Sequence, residues 1–114
     1  MKAKLGMSPV AWWNDDLVEL SDDVSLEECL AQSRSAGFTG MEMGRRFPSD
    51  PAVMLPILKK ADVTLCGGWF SGTLVNEGMA ENKARIQPMI ELFKAVSAPC
   101  IVYGEVGRSI QGDR

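Results

Sequence analysis

Short apolar runs alternate along this chain with longer stretches in which apolar residues recur every three or four positions, and that alternation limits the fold more than any other feature. Four runs read as strands: Lys4 to Ala11, Phe38 to Met43, Val63 to Cys66 and Cys100 to Tyr103. Between them lie three helical patterns. Ser25 and Glu28 form a capping box ahead of Leu26, Cys29, Leu30 and Ser33, and Ala36-Gly37 closes that helix. Asp50 caps a second helix, with Pro51 at its first position and Val53, Met54, Ile57, Leu58 and Ala61 as its buried face. A third runs from about Met79 to Ser97 and buries Ile86, Met89, Ile90, Phe93 and Val96. Pro56 predicts a kink or a late start in the second helix, and Pro88 a division of the third.

The order is therefore β-α-β-α-β-α-β. The strands are short and apolar on both faces, as parallel strands covered by helices are. Two architectures accept this order. A doubly wound sheet often carries a glycine-rich phosphate turn after its first strand. Here that strand runs into Trp12-Trp13-Asn14-Asp15-Asp16. A (β/α)8 barrel gathers its polar residues at the C-terminal strand ends, which is where Asn14, Asp15, Glu42, Trp69, Ser71 and Glu105 fall. The barrel is the better reading. A whole barrel takes about 250 residues, so these 114 residues are expected to form the N-terminal half of a single TIM-barrel domain, cut after its fourth strand.

Composition excludes several classes. The net charge is −3 and the basic residues are scattered, with Arg45-Arg46 and Lys59-Lys60 as the only doublets. A nucleic-acid partner is not expected. No run approaches the ~20 apolar residues that span a bilayer, and the first residues lack a signal-peptide core, so a cytoplasmic protein without a membrane partner is expected. Cys29, Cys66 and Cys100 stand far apart and form no CxxC; reduced, buried thiols are expected. The chain has no histidine, which excludes Cys/His zinc sites and His-based triads built from it alone.

The strand-end residues suit a small hydroxylated ligand. Indoles stack on the C–H faces of a polyol ring, and Asn and Asp bind its hydroxyls. Asn14 and Asp15 are candidates for that contact, with turn formation as the alternative. One of Trp12 and Trp13 should face the core, and Trp13 is preferred for the pocket. Trp69 either walls the pocket or packs in the core. Gly67-Gly68 either lets the backbone approach a ligand or marks a bulge. Ser71 has no basic motif partner to make it a nucleophile.

Five segments carry a resemblance over nearly the whole chain: WWNDDLVEL, AGFTGMEMG, FPSDPAVMLPIL, GGWFSG and YGEVGRSIQGD. In order and spacing they resemble the N-terminal part of the myo-inosose-2 dehydratases, of the xylose-isomerase-like superfamily of sugar isomerase and epimerase barrels. WWNDD and GRSIQGD are the specific segments. The resemblance implies a lyase of inositol catabolism that removes water from 2-keto-myo-inositol (scyllo-inosose) to give a trihydroxycyclohexane dione. It implies a divalent metal, manganese or cobalt, whose ligands lie outside this chain. Glu42 and Glu105, at strand ends, then become candidates for substrate contact, with a structural carboxylate as the alternative, and neither is assigned as the base. Ser109 and Gln111 become candidates for hydroxyl contact. Two other readings stay open: a sugar isomerase or epimerase of the same superfamily, and a non-catalytic half-barrel that forms a homo-oligomer by pairing its open edges.

Overall fold

The computed structural model describes residues 3–20 and 23–110. It contains strands β1 (Gly6–Met7), β2 (Gly40–Met43), β3 (Thr64–Gly72) and β4 (Val102–Glu105), and helices α1 (Leu26–Ser35), α2 (Pro51–Ala61), α3 (Leu74–Glu77) and α4 (Met79–Val96). All strand pairs are parallel and the sheet order is β1-β2-β3-β4. A doubly wound sheet reverses its strand order at a switch point; this sheet never does. The chain is an α/β half-barrel, four parallel strands with helices on the convex side.

The helix signals hold. Ser25 Oγ accepts the Glu28 N–H at 3.1 Å, and Gly37, at φ 96°, ends α1. Asp50 Oδ1 accepts the Ala52 N–H at 2.8 Å with Pro51 behind it. The two interior prolines do less than expected. Neither α2 nor α4 is divided or delayed. Pro56 and Pro88 lie on exposed faces, so the carbonyls of Ala52 and Ala84, four residues back, are within reach of water. Val53 is also on the outside, 50% exposed, so α2 buries Met54 and Leu58 with Ile57 and Ala61 at the margin.

The strand boundaries move. β1 is only two residues long because Pro9 has no N–H for the ladder. It starts a 3₁₀ turn instead, and the N–H groups of Trp12 and Trp13 both return to its carbonyl. β3 is the longest strand, nine residues, and its two halves have different partners. Thr64 to Gly68 pair with β2, whereas Trp69 to Gly72 pair with β4. A register shift between Met41 and Glu42 leaves Cys66 as the extra residue of the first half.

The core lies between the sheet and the helices. Met41 and Leu65 from the strands meet Cys29 and Leu30 of α1, Met54 and Leu58 of α2, and Leu92, Phe93 and Val96 of α4. Gly68 is part of this packing. A Cβ there would stand 2.7 Å from Phe93 and 2.8 Å from Met89, so the glycine lets α4 press against β3. Burial pushes the Cys29 thiol up to about 11. Cys66 is only partly buried and Cys100 is exposed, against the expectation of three buried thiols.

Candidate functional site

The register assigns each strand-end side chain to a face. Glu42 pairs with Gly67, and Trp69 follows two residues later on β3, on the same side. Glu42, Cys66, Gly67, Cys100 and Val102 line a concave hollow of about 220 Å³. Burial, then the nearby Glu42 carboxylate, push the Cys66 thiol up. Trp69 pairs with Val102 and stands 55% exposed, its Nε1 donating to Ser71 Oγ at 2.9 Å.

Tyr103 and Glu105 alternate to the convex side. The Tyr103 ring lies 5.9 Å from that of Phe70. The Glu105 carboxylate accepts the Leu74 N–H, the Gly107 N–H and the Tyr103 hydroxyl, each at 2.9 Å. Burial raises its pKa, but these donors outweigh it and hold the group below the ordinary carboxylate value. Tyr103 moves the opposite way: burial, then its bond to Glu105, push the phenol up. In this structure Glu105 serves the turn between β3 and α3, with its oxygens occupied by the chain's own donors.

A larger cavity, about 530 Å³, opens between the end of β2 and α4, with Asp15, Met43, Arg45, Trp69, Arg85 and Met89 on its walls. Asp15 and Arg45 approach to 3.8 Å across it. Arg85 is a residue the sequence reading missed. It donates to Glu77 Oε2 at 2.8 Å, to the Ser71 carbonyl at 3.1 Å and to Thr73 Oγ1, and its guanidinium lies 5.5 Å from the Phe70 ring centre. The hydrogen bond from Thr73, then those from Arg85, hold the Glu77 carboxyl below its usual range. One arginine on a helix leaves no local trace of such a role, because its reach is set by how α4 packs on β3.

The remaining candidates scatter. Trp13 corrects the preference for the pocket: it is 1% exposed, donates from Nε1 to the Val24 carbonyl at 2.9 Å and meets Phe47 edge-on, so it presents no surface to a ligand. Trp12 is the outer indole, bonded to Gln32 Oε1 at 2.7 Å. Asn14 Oδ1 accepts the N–H groups of Asp16 and Leu17 at 2.9 and 2.8 Å, an Asx turn. Ser109 Oγ is enclosed with no hydrogen-bond partner among the described residues. Gln111 lies outside the described residues. Thus Asp15 and Trp69 share one cavity and Glu42 lines the neighbouring hollow, while Trp13, Asn14, Glu105 and Ser109 are elsewhere. Among the described residues no three Cys, Asp or Glu side chains converge as a metal site would require, and no helix is long and apolar enough to cross a membrane.

Fold and strand-end chemistry together define one half of a (β/α)8-type barrel, with polar and aromatic residues at the C-terminal strand ends. No family model matches the sequence. Over 109 residues the chain is 35% identical to the inosose dehydratase of Mesomycoplasma hyopneumoniae, which takes in 96% of this chain and 36% of that protein. Over 111 residues it is 32% identical to the inosose dehydratase of Geobacillus thermodenitrificans, at 97% and 37% coverage. Over 110 residues it is 34% identical to that of Serratia proteamaculans, at 96% and 37%. The chain is therefore similar along nearly its whole length to proteins named inosose dehydratase, and it spans little more than a third of their length.

Proposed function

We propose that this chain is the N-terminal part of the barrel of a hydro-lyase that removes water from 2-keto-myo-inositol. The observation that carries the reading is that the similarity to inosose dehydratases runs along 96% of the chain and includes the strands that bear Glu42 and Trp69. Loss of water beside a ketone needs a base for the acidic proton alpha to the carbonyl and an acid for the departing hydroxyl. Glu42 supplies a carboxylate on the concave face, where it can accept a hydrogen bond from a ring hydroxyl and fix the ring's orientation. Trp69 supplies an apolar surface on the same face. The manganese or cobalt ion that the resemblance implies does not fit the described residues, which offer it no cluster of three ligands. Its ligands belong to residues outside this chain, and no step rests on it. The compartment that goes with this reading is the cytoplasm.

The test is product analysis with scyllo-inosose on the complete barrel protein. A dehydrated dione is the expected product; an isomer of unchanged mass would make the protein a sugar isomerase or epimerase instead. Glu42→Gln should lower turnover by more than tenfold with little change in melting temperature. An equal loss of fold would make Glu42 structural.

A second reading is favoured by one observation: β1 and β4 have unpaired outer edges among the described residues. Two copies could close eight strands. Native mass decides, since a dimer of 12.4 kDa subunits supports that closure and a subunit two to three times larger does not.

A further inference from the structure

We propose that Ser71 and Gly104 are positioning residues that hold the Trp69 indole as a flat platform for the C–H face of a cyclic polyol. The inference deepens the dehydratase reading and rests on it for the ligand class. Trp69, Ser71 and Gly104 share the concave face, since Trp69 pairs with Val102 and Ser71 with Gly104. Ser71 Oγ accepts the indole N–H at 2.9 Å. That bond fixes the rim of the ring that would otherwise seek water. The benzo edge next to that N–H lies over Gly104, where a Cβ would stand 2.0 Å from Cζ2 and 2.1 Å from Cη2 of the indole. No other residue leaves that space, so the ring lies down along β4 only because position 104 is glycine. The Ser71 backbone is held in turn, its carbonyl accepting Arg85 Nη2 of α4 at 3.1 Å.

Among these 114 residues Trp69 keeps 55% of its surface open, while its polar atom is satisfied from within the chain. An exposed indole with its N–H spent offers only an apolar face. Such a face selects rings whose C–H bonds project on one side. Glu42, on the same concave face, supplies the acceptor for their hydroxyls.

The experiment titrates the complete barrel protein with myo-inositol while tryptophan emission is read, using wild type, Trp69→Phe, Ser71→Ala, Ser71→Thr and Gly104→Ala. Myo-inositol should change the emission of wild type, and Trp69→Phe should abolish the change. Ser71→Ala and Gly104→Ala should each weaken binding about tenfold, the size of one good aromatic contact. Ser71→Thr, which keeps the hydroxyl, should restore it, and a thermal melt shows which variants fold. Ser71→Ala keeps the test open should Gly104→Ala not fold. Wild-type affinity in both Ser71→Ala and Gly104→Ala, or no binding by wild type, overturns the platform. Turnover of scyllo-inosose is read in the same samples. Turnover with equal affinities overturns the platform and leaves the dehydratase reading standing. Binding weakened by Ser71→Ala without turnover in wild type does the reverse.

Discussion

Met41 and Glu42 are neighbours on β2, yet they belong to opposite sides of the molecule. Met41 is fully buried among α1, α2 and α4, where the large side chains interlock. Glu42 faces a hollow bordered by glycines, thiols and Val102. The convex side uses its residues to fill volume. Within these 114 residues the concave side leaves volume open, and the long strand β3 carries an exposed indole there. A sheet apolar on both faces is thus divided between stability and contact with something outside these 114 residues.

Substitution at the two neighbours is the sharpest way to break that comparison. Met41→Ala should cost about 2–5 kcal/mol in a denaturant melt, the range for opening a cavity in a packed core. Glu42→Ala should stay within about 0.5 kcal/mol, as a surface change does. Equal costs would mean that the concave side is a second core. The next effect belongs to the convex side alone. Cys29 has its folded-state pKa raised from 9.0 to about 11. A raised pKa in the folded state gives stability that is complete below pH 9 and lost as pH climbs toward 11. The loss should be of the order of 2 kcal/mol, and Cys29→Val should flatten it. A profile unchanged by that substitution would place the alkaline limit in another group. The smallest effect tests a helix end, away from both faces. Asp50→Ala should cost about 1 kcal/mol through the lost cap, read as a lower melting temperature; no change would mean that Pro51 alone starts α2.

Much of this was legible in the amino-acid order because it depends on near neighbours. Ser25, Asp50 and Pro51 announce helix starts through contacts within one turn. The apolar spacing of Cys29, Leu30, Met54, Leu58 and Phe93 marks the core correctly. What the order of residues leaves open depends on pairings between distant segments. Strand alternation puts Trp12 and Trp13 on opposite faces, but Pro9 turns that segment into a 3₁₀ turn, where a period of two has no meaning. Glu105 lies at a strand end as expected. Its face, however, follows from β4 starting at Val102 and aligning with Trp69, a register fixed by tertiary packing. Arg85 was invisible for the same reason.

The divided pairing of β3 has a consequence for how the mouth is built. β2 stops where β4 begins, so the two strands sit at different heights along the strand between them. That stagger is the shear by which a closing sheet tilts its strands. Here it is written into a single strand, which acts as a ruler for the whole arc. One residue inserted between Gly68 and Trp69 would leave every bond to β2 in place. It would also turn the indole, Ser71 and all that follows through half a turn, onto the helices.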